Sequence, residues 1–303
     1  MKNADAIRTR SERALARARS RLEIQEGRPE PQGLLALTRI IFPGEDISDS
    51  RYLPWLYDHN PAGPAHEFIT RDKRMVTGHI AAVPLRYKIV NETVRGCMAV
   101  NAITHPDFRG KGIFIVLHDE LNKFASRTGI EFTLGYANIN SYKGCLRHLD
   151  YKELGRFPLW VLPLNLPKIM AAQKSKQGIF WRIAARAAGP FFHLERAAFR
   201  PRGRKSCLIE KTPEFGAEFD EFWETAKEGH ANILIRNRDF LNWRFVAHPT
   251  RRYDIFTARS EGRLLAYLVG TISSIEGLRW GVIVEKPGGE PDEIRYVWCT
   301  WCP

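Results

Sequence analysis

Apolar residues recur at helical spacing over residues 33–42 and again over 113–126. In the second stretch Ile113, Val116, Leu117, Leu121 and Phe124 follow the i, i+3, i+4 rule. Pro43-Gly44 ends the first helix, and Asp49 or Ser50 caps a second, short one predicted to run through Tyr57 and to stop before Asn60-Pro61. From His66 the period shortens to two. Strands are predicted at 68–70, 76–83 and 85–90, with turn chemistry at Asp72-Lys73 and Asn91-Glu92. A further strand at 97–104 ends in the turn His105-Pro106-Asp107. The amphipathic helix follows, then a strand at 130–136 and a polar helix over 141–148. Upstream, residues 5–26 read as a polar helix or solvated arm whose large apolar groups are Leu15, Leu22 and Ile24. Helices, a strand meander and a strand-turn-helix-strand crossover together make an α/β or α+β layer.

The pattern repeats. A shift of 188 residues lays Leu53 on Leu241, Trp55 on Trp243, Pro61 on Pro249, Phe68 on Phe256 and Arg71 on Arg259 without a gap. Duplication of a helix-then-strands unit explains the run; two unrelated Trp-Pro helix ends are the alternative. Residue 104 maps to 292, so the second copy has no room for the crossover.

Composition is that of an ordinary globular chain, with 44% hydrophobic and 26% charged residues over 303 positions. Five cysteines at irregular spacing argue for a reducing compartment over a disulfide framework. Cys299 and Cys302 form a lone C-x-x-C without the second pair a zinc ribbon needs, so no metal is expected. No apolar run approaches a membrane span, and the charged N-terminal stretch lacks the apolar core of a secretory signal. A cytoplasmic location follows as the expectation.

The chemistry concentrates in residues 99–113, a strand running through His-Pro-Asp-Phe-Arg-Gly-Lys-Gly into a helix. Amides at a helix start have no intrahelical acceptor and carry the positive end of the dipole, so they can seat a phosphate or pyrophosphate. Gly110 and Gly112 permit close approach, while Arg109 and Lys111 add charge. A plain glycine turn is the alternative. A Walker A loop would need Ser or Thr after Lys111, and a dinucleotide fingerprint would need glycine at 115, where Ile115 stands.

These residues resemble the acyl-CoA-binding motif of the GCN5-related N-acetyltransferases (GNAT superfamily). The likeness extends over roughly residues 34–160, through Tyr136-Ala-Asn-Ile-Asn-Ser-Tyr142 and Leu149-Asp-Tyr151. It implies a mixed, mostly antiparallel sheet flanked by helices, with a truncated second copy. The implied segments are a basic arm at 1–28, an acyl-CoA-binding domain at 29–160, a basic interdomain stretch at 161–212 and a partial second half at 213–303. The implied activity is transfer of an acyl group, acetyl first among them, from acyl-CoA to an amine in a ternary complex. No metal takes part. The pantetheine arm would pair with Ile103 and Thr104. The pyrophosphate would sit on Arg109, Gly110, Lys111, Gly112 and Ile113, and Asn138 or Asn140 would bond the pantetheine amide. The family's motif opens with Gln or Arg where this chain has Asp107, and its acidic Tyr falls at Leu146. Tyr142, one turn earlier on the same face, could protonate the leaving thiolate or simply pack the helix.

Glu131 and Glu67 are candidate bases acting through water, or solvated carboxylates. His79, His118 and His148 read as structural or exposed, and Cys145 with His148 is a weaker acyl-cysteine arrangement. Two further readings stand beside the acetyltransferase. One is a tandem aminoacyl- or acyl-transferase acting on cell-envelope precursors; the other is a binding protein on a degenerate scaffold.

The formal charge of +12 sharpens the partner question. Residues 1–28 carry net +4 and residues 156–211 net +10, while 29–155 and 212–303 carry +1 and −3. The catalytic block is therefore no general polyanion binder, which argues against nucleic acid. The 156–211 stretch interleaves Lys and Arg with Phe180, Trp181, Phe191 and Phe192. It reads as a solvated linker, or as a contact for an anionic membrane surface or acidic carrier protein. The other partner is a small-molecule or peptide amine.

Overall fold

A computed structural model describes residues 15–155, 207–275 and 278–285. The C-x-x-C and most of the basic stretch at 156–211 lie outside the described residues. After a helical turn at 15–19 come β1 (Glu23–Glu26), α1 (Pro31–Ile41), α2 (Tyr52–Asp58), β2 (His66–Asp72), β3 (Met75–Ile89) and β4 (Glu92–Thr104). The crossover follows as α3 (Ile113–Arg127) and β5 (Phe132–Leu134), then α4 (Ile139–His148). The second copy supplies β6 (Leu208–Thr212), α5 (Glu218–Ala226), β7 (Asn232–Leu234), α6 (Arg238–Leu241) with a π-helical turn at Asn242–Val246, β8 (Asp254–Ser260), β9 (Arg263–Ile275) and β10 (Leu278–Glu285). One compact unit holds residues 15–155 and 215–252; the other holds 207–214 and the described residues from 253 onward.

The first sheet runs β1-β2-β3-β4-β5, with β7 added to β3; all pairs are antiparallel except β4-β5. Phe68, Ile80, Ala82 and Cys97 of this sheet bury against Ile113, Leu117 and Leu121 of α3, the stripe its periodicity marks. The second unit is an antiparallel sheet in the order β10-β9-β8-β6.

Three local expectations change. Residues 23–26 are not helix but strand, pairing Ile24 with Thr70, because β2 offers an open edge there. The strands expected at 76–83 and 85–90 are one. Pro84 does not interrupt it, since β2 pairs β3 only up to Ala82 and β7 begins at Tyr87. The proline thus falls in a gap of that edge, and Asn60 donates to its carbonyl at 2.8 Å. The strand expected at 130–136 shrinks to three residues, for a reason that belongs to the site.

The duplication is visible in the register. β2 and β8 start and stop 188 residues apart, and each has its irregularity at the same place, Thr70/Arg71 and Ala258/Arg259. Both hairpins turn through a left-handed residue, Lys73 (φ 54°) and Glu261 (φ 51°). β6 lies on β8 as β1 lies on β2, so among the described residues the repeat reaches back at least to Leu208. Within the first unit the paired tryptophans face each other. Trp55 Nε1 donates to the Trp243 carbonyl (2.8 Å), Trp243 Nε1 donates to the Trp55 carbonyl (3.0 Å), and the rings stack at 5.1 Å. Among the described residues no counterpart of α3 follows β10. Phe68 beneath α3 is accordingly 1% exposed, and its counterpart Phe256 is 37% exposed.

Candidate functional site

β4 and β5 run parallel for three pairs, Gly96–Phe132, Cys97–Thr133 and Met98–Leu134. Beyond Met98 the strands part: β4 continues to Thr104 held by β3 alone, while residues 135–138 leave the ladder. That separation is why the fifth strand is short. It opens backbone donors and acceptors of residues 99–104 on one edge, a segment able to pair with an extended amide-bearing ligand.

Ile103 and Thr104 lie at the end of this open segment, opposite His79 and Gly78. The chain then turns through Pro106–Phe108 into Arg109, Gly110 (φ 76°), Lys111 and Gly112 (φ 82°) before α3 starts at Ile113. Arg109, Gly110 and Lys111 are exposed, and Lys111 Nζ sits 4.0 Å above the Phe108 ring. The first turn of α3 has no acidic residue, so nothing there opposes an anion. Asp107, the departure from the family motif, directs a carboxylate that is 82% exposed into solvent; its amide donates to His105 Nδ1. Ala18 of the N-terminal turn packs on Gly112, where a Cβ would stand 2.8 Å from it.

α4 places the remaining expected residues at the other side of the opening. Asn138 is the helix cap, its Oδ1 accepting from the amides of Asn140 and Ser141 at 3.0 Å each, and Asn140 is exposed. Tyr142 is half-buried and its hydroxyl donates to Glu153. Gly144 rests on Phe114 of α3. Glu131 is exposed and precedes β5, at the end away from the parting. It is not brought to Tyr142's end of the strand. Burial raises the Cys145 thiol pKa, which disfavours a nucleophilic thiolate.

The opposite surprise is Glu67. Its expectation as a surface carboxylate is overturned: the side chain is 2% exposed, at the centre of a charged network. Arg28 Nε donates to Oε1 at 2.7 Å, and His79 Nε2 lies 3.0 Å from Oε2. Burial works to raise the Glu67 pKa, but the hydrogen bonds and charges of His79 and Arg28 outweigh it, and the net direction is down. His79 is fully buried, and its Nδ1 reaches the Asn101 carbonyl at 3.1 Å. Local patterning gives no sign of this pairing, because twelve residues separate the partners across two strands. Tyr136, beside the parting, has its pKa raised by burial; the Arg236 guanidinium from the second copy partly opposes this.

Two other histidines are acid-labile structural groups. Burial lowers the His118 pKa to about 4, against a weaker contrary effect of its bond to the Phe114 carbonyl. His248 is lowered to about 4 by burial first and then by Arg244; its Nδ1 accepts from the Arg251 amide at 3.2 Å. Both pKa values lie below the unfolded value of about 6.5, so their stabilisation is complete above pH 6.5 and is lost as pH falls toward 4. For His118 alone the loss between pH 7 and pH 5 is about 2 kcal/mol. Urea unfolding at the two pH values should show it, and His118→Gln should flatten that part of the decline.

No protein-family model and no curated protein matches the sequence. Solved structures do match in fold. A conserved Enterococcus faecalis protein labelled "Probable N-Acyltransferase" superposes with a TM-score of 0.55 at 11% identity, covering 88% of this chain and 58% of that one. A GCN5-related N-acetyltransferase from Anabaena variabilis gives 0.55 at 13% identity, over 88% and 59%. Saccharomyces cerevisiae N-myristoyltransferase with bound myristoyl-CoA gives 0.53 at 11% identity, over 88% and 66%. The chain thus spans less than two thirds of the length of each. Among the described residues no helix is long and apolar enough to cross a membrane. With parted parallel strands, a glycine turn into α3 and a repeated first half, the chain has the fold of the GCN5-related N-acetyltransferases, followed by a partial second copy.

Proposed function

We propose that the chain is an acyl-CoA-dependent N-acyltransferase, with acetyl-CoA its expected donor and an amine its acceptor. The observation that carries this reading is the adjacency of two features on one strand. β4 loses its parallel neighbour after Met98, ends six residues later at Thr104, and leads through Pro106–Phe108 into the glycine turn, Gly110 to Gly112, at the start of α3. An extended pantetheine amide chain fits the first feature and a pyrophosphate the second. In this reading Ile103 and Thr104 pair with the pantetheine arm. Arg109 to Ile113 bind the pyrophosphate, and the Asn138 amide group or Asn140 meets the pantetheine from the α4 side.

The amine nitrogen attacks the thioester carbonyl, forming the C–N bond as the C–S bond breaks. The ammonium first loses a proton to bulk water; as the amine attacks, the thiolate takes the Tyr142 phenol proton, which turns to it from Glu153, and the phenolate is restored by the proton the new amide nitrogen sheds. A backbone amide of the open β4 segment polarises the carbonyl. Glu131, exposed at the far end of β5, has no part in it.

Calorimetry with acetyl-CoA, myristoyl-CoA and CoA tests binding, and release of free CoA thiol across an amine panel tests turnover. Micromolar binding that weakens about tenfold in Arg109→Ala, which removes one charge-assisted bond to phosphate, supports the reading. Absence of binding by all three molecules overturns it. Binding without turnover would favour the degenerate scaffold, a reading supported by the exposed Leu146 at the acid position. Salt-sensitive sedimentation with anionic vesicles tests the membrane role proposed for the basic stretch.

A further inference from the structure

The open part of β4 contains a built distortion. Gly78–Thr104 and His79–Ile103 pair in one register and Ala81–Val100 in the next, so Asn101 and Ala102 together stand opposite Ile80. Asn101 sits in the left-handed region (φ 53°), an uncommon place for a residue inside a strand. It is clamped from both sides. Its carbonyl is met by His79 Nδ1 at 3.1 Å, and its side-chain amide donates to the Tyr57 hydroxyl at 2.7 Å. Tyr57 in turn stacks on the His79 ring at 5.9 Å.

His79 cannot rotate away, because Nε2 is engaged by Glu67 at 3.0 Å. Glu67 is anchored by Arg28, and Arg28 by Asp58 at 2.6 Å. A carbonyl and a carboxylate are both acceptors. Nδ1 therefore donates to the Asn101 carbonyl while Nε2 is held by the Glu67 carboxylate. Two ionisable groups buried this deeply, and aimed through one ring at one distorted carbonyl, are costly unless the position they hold matters.

We infer that Glu67 and His79 are positioning residues that hold the Asn101–Ala102 bulge of β4, and with it the backbone of the acyl-binding edge, in its working conformation. This rests on the acyltransferase reading, which makes residues 99–104 the edge facing the thioester. Neither side chain touches substrate. They act through the peptide group of Asn101.

The branching of the side chains supplies the test. Asparagine at 79 keeps a donor where Nδ1 stands but loses the reach to Glu67; glutamine reaches toward Glu67 but loses the donor to Asn101. His79→Gln should lower kcat at least tenfold with the Kd for acetyl-CoA unchanged within twofold, while His79→Asn recovers most of kcat. Asn101→Gly should retain activity and Asn101→Val should lose it, since valine resists the left-handed region. Asn101→Val and Asn101→Gly both remove the donor to the Tyr57 hydroxyl, so their difference reads the backbone conformation alone and serves if His79→Gln does not fold.

Amide hydrogen exchange at 101–102 reads the same inference without activity. It should rise at least tenfold in His79→Gln and not in His79→Asn. Equal kcat in His79→Gln and wild type, or equal exchange in both, overturns the positioning role. Failure of wild type to bind acetyl-CoA, myristoyl-CoA or CoA overturns the acyltransferase reading instead, and the exchange data still decide the role of His79.

Discussion

Gly112→Asp is expected to lower the affinity for acyl-CoA at least a hundredfold in calorimetry. Two independent effects converge at this position. Gly112 holds φ at 82°, where an L side chain is strained, and a Cβ there would meet the Ala18 methyl at 2.8 Å. A carboxylate would also stand beside the amides that open α3, at the positive end of the dipole, where the proposed pyrophosphate sits. Gly112→Ala separates the two effects, since it brings the strain and the close approach to Ala18 without the charge. Its loss should fall well short of the aspartate variant's. Melting temperature serves as the control, since the strain and the Ala18 contact are common to both variants and only the charge separates their binding. An aspartate variant that binds acetyl-CoA like wild type would remove the pyrophosphate from this turn.

The second large effect concerns stability. Trp55→Ala should cost about 3–5 kcal/mol, read as a lower urea midpoint at unchanged slope. Trp55 is buried, stacks on Trp243 and lies 4.3 Å from the His248 ring, centroid to centroid. Truncation opens a cavity and also strips the donor from the buried Trp243 carbonyl. Trp55→Phe keeps most of the volume and loses the donor, so about 1–3 kcal/mol is expected from it. Trp243→Ala should match Trp55→Ala, since each indole donates to the other's carbonyl. The double variant should cost less than the sum, because the two rings pack on each other. Strict additivity would mean that the two indoles are not energetically coupled.

Much of the architecture is legible in one dimension because it rests on local rules. The stripe Ile113, Val116, Leu117, Leu121 dictates which face of α3 is buried, and all four are buried. Gly110 and Gly112 announce a turn that needs positive φ, and both adopt it. The 188-residue shift found in the sequence reappears in strand limits, hairpin turns and the facing tryptophans.

Other features have no local cause. Residues 23–26 carry a helical arm's composition, yet they form a strand because β2 presents an unpaired edge. Pro84 should break a strand, yet β3 runs through it because both neighbours on that edge stop short. Glu67 reads as a solvated carboxylate and His79 as structural or exposed until β2, β3 and the bulge in β4 bring them together with Arg28, Tyr57 and Asn101. The amino-acid sequence by itself determined most of the elements, the glycine turn before α3 and the repeat, since those follow from backbone preference and periodicity within a few residues. Only the tertiary structure decided where strands part, which edges are open and which charges are buried, because each depends on partners distant in the chain.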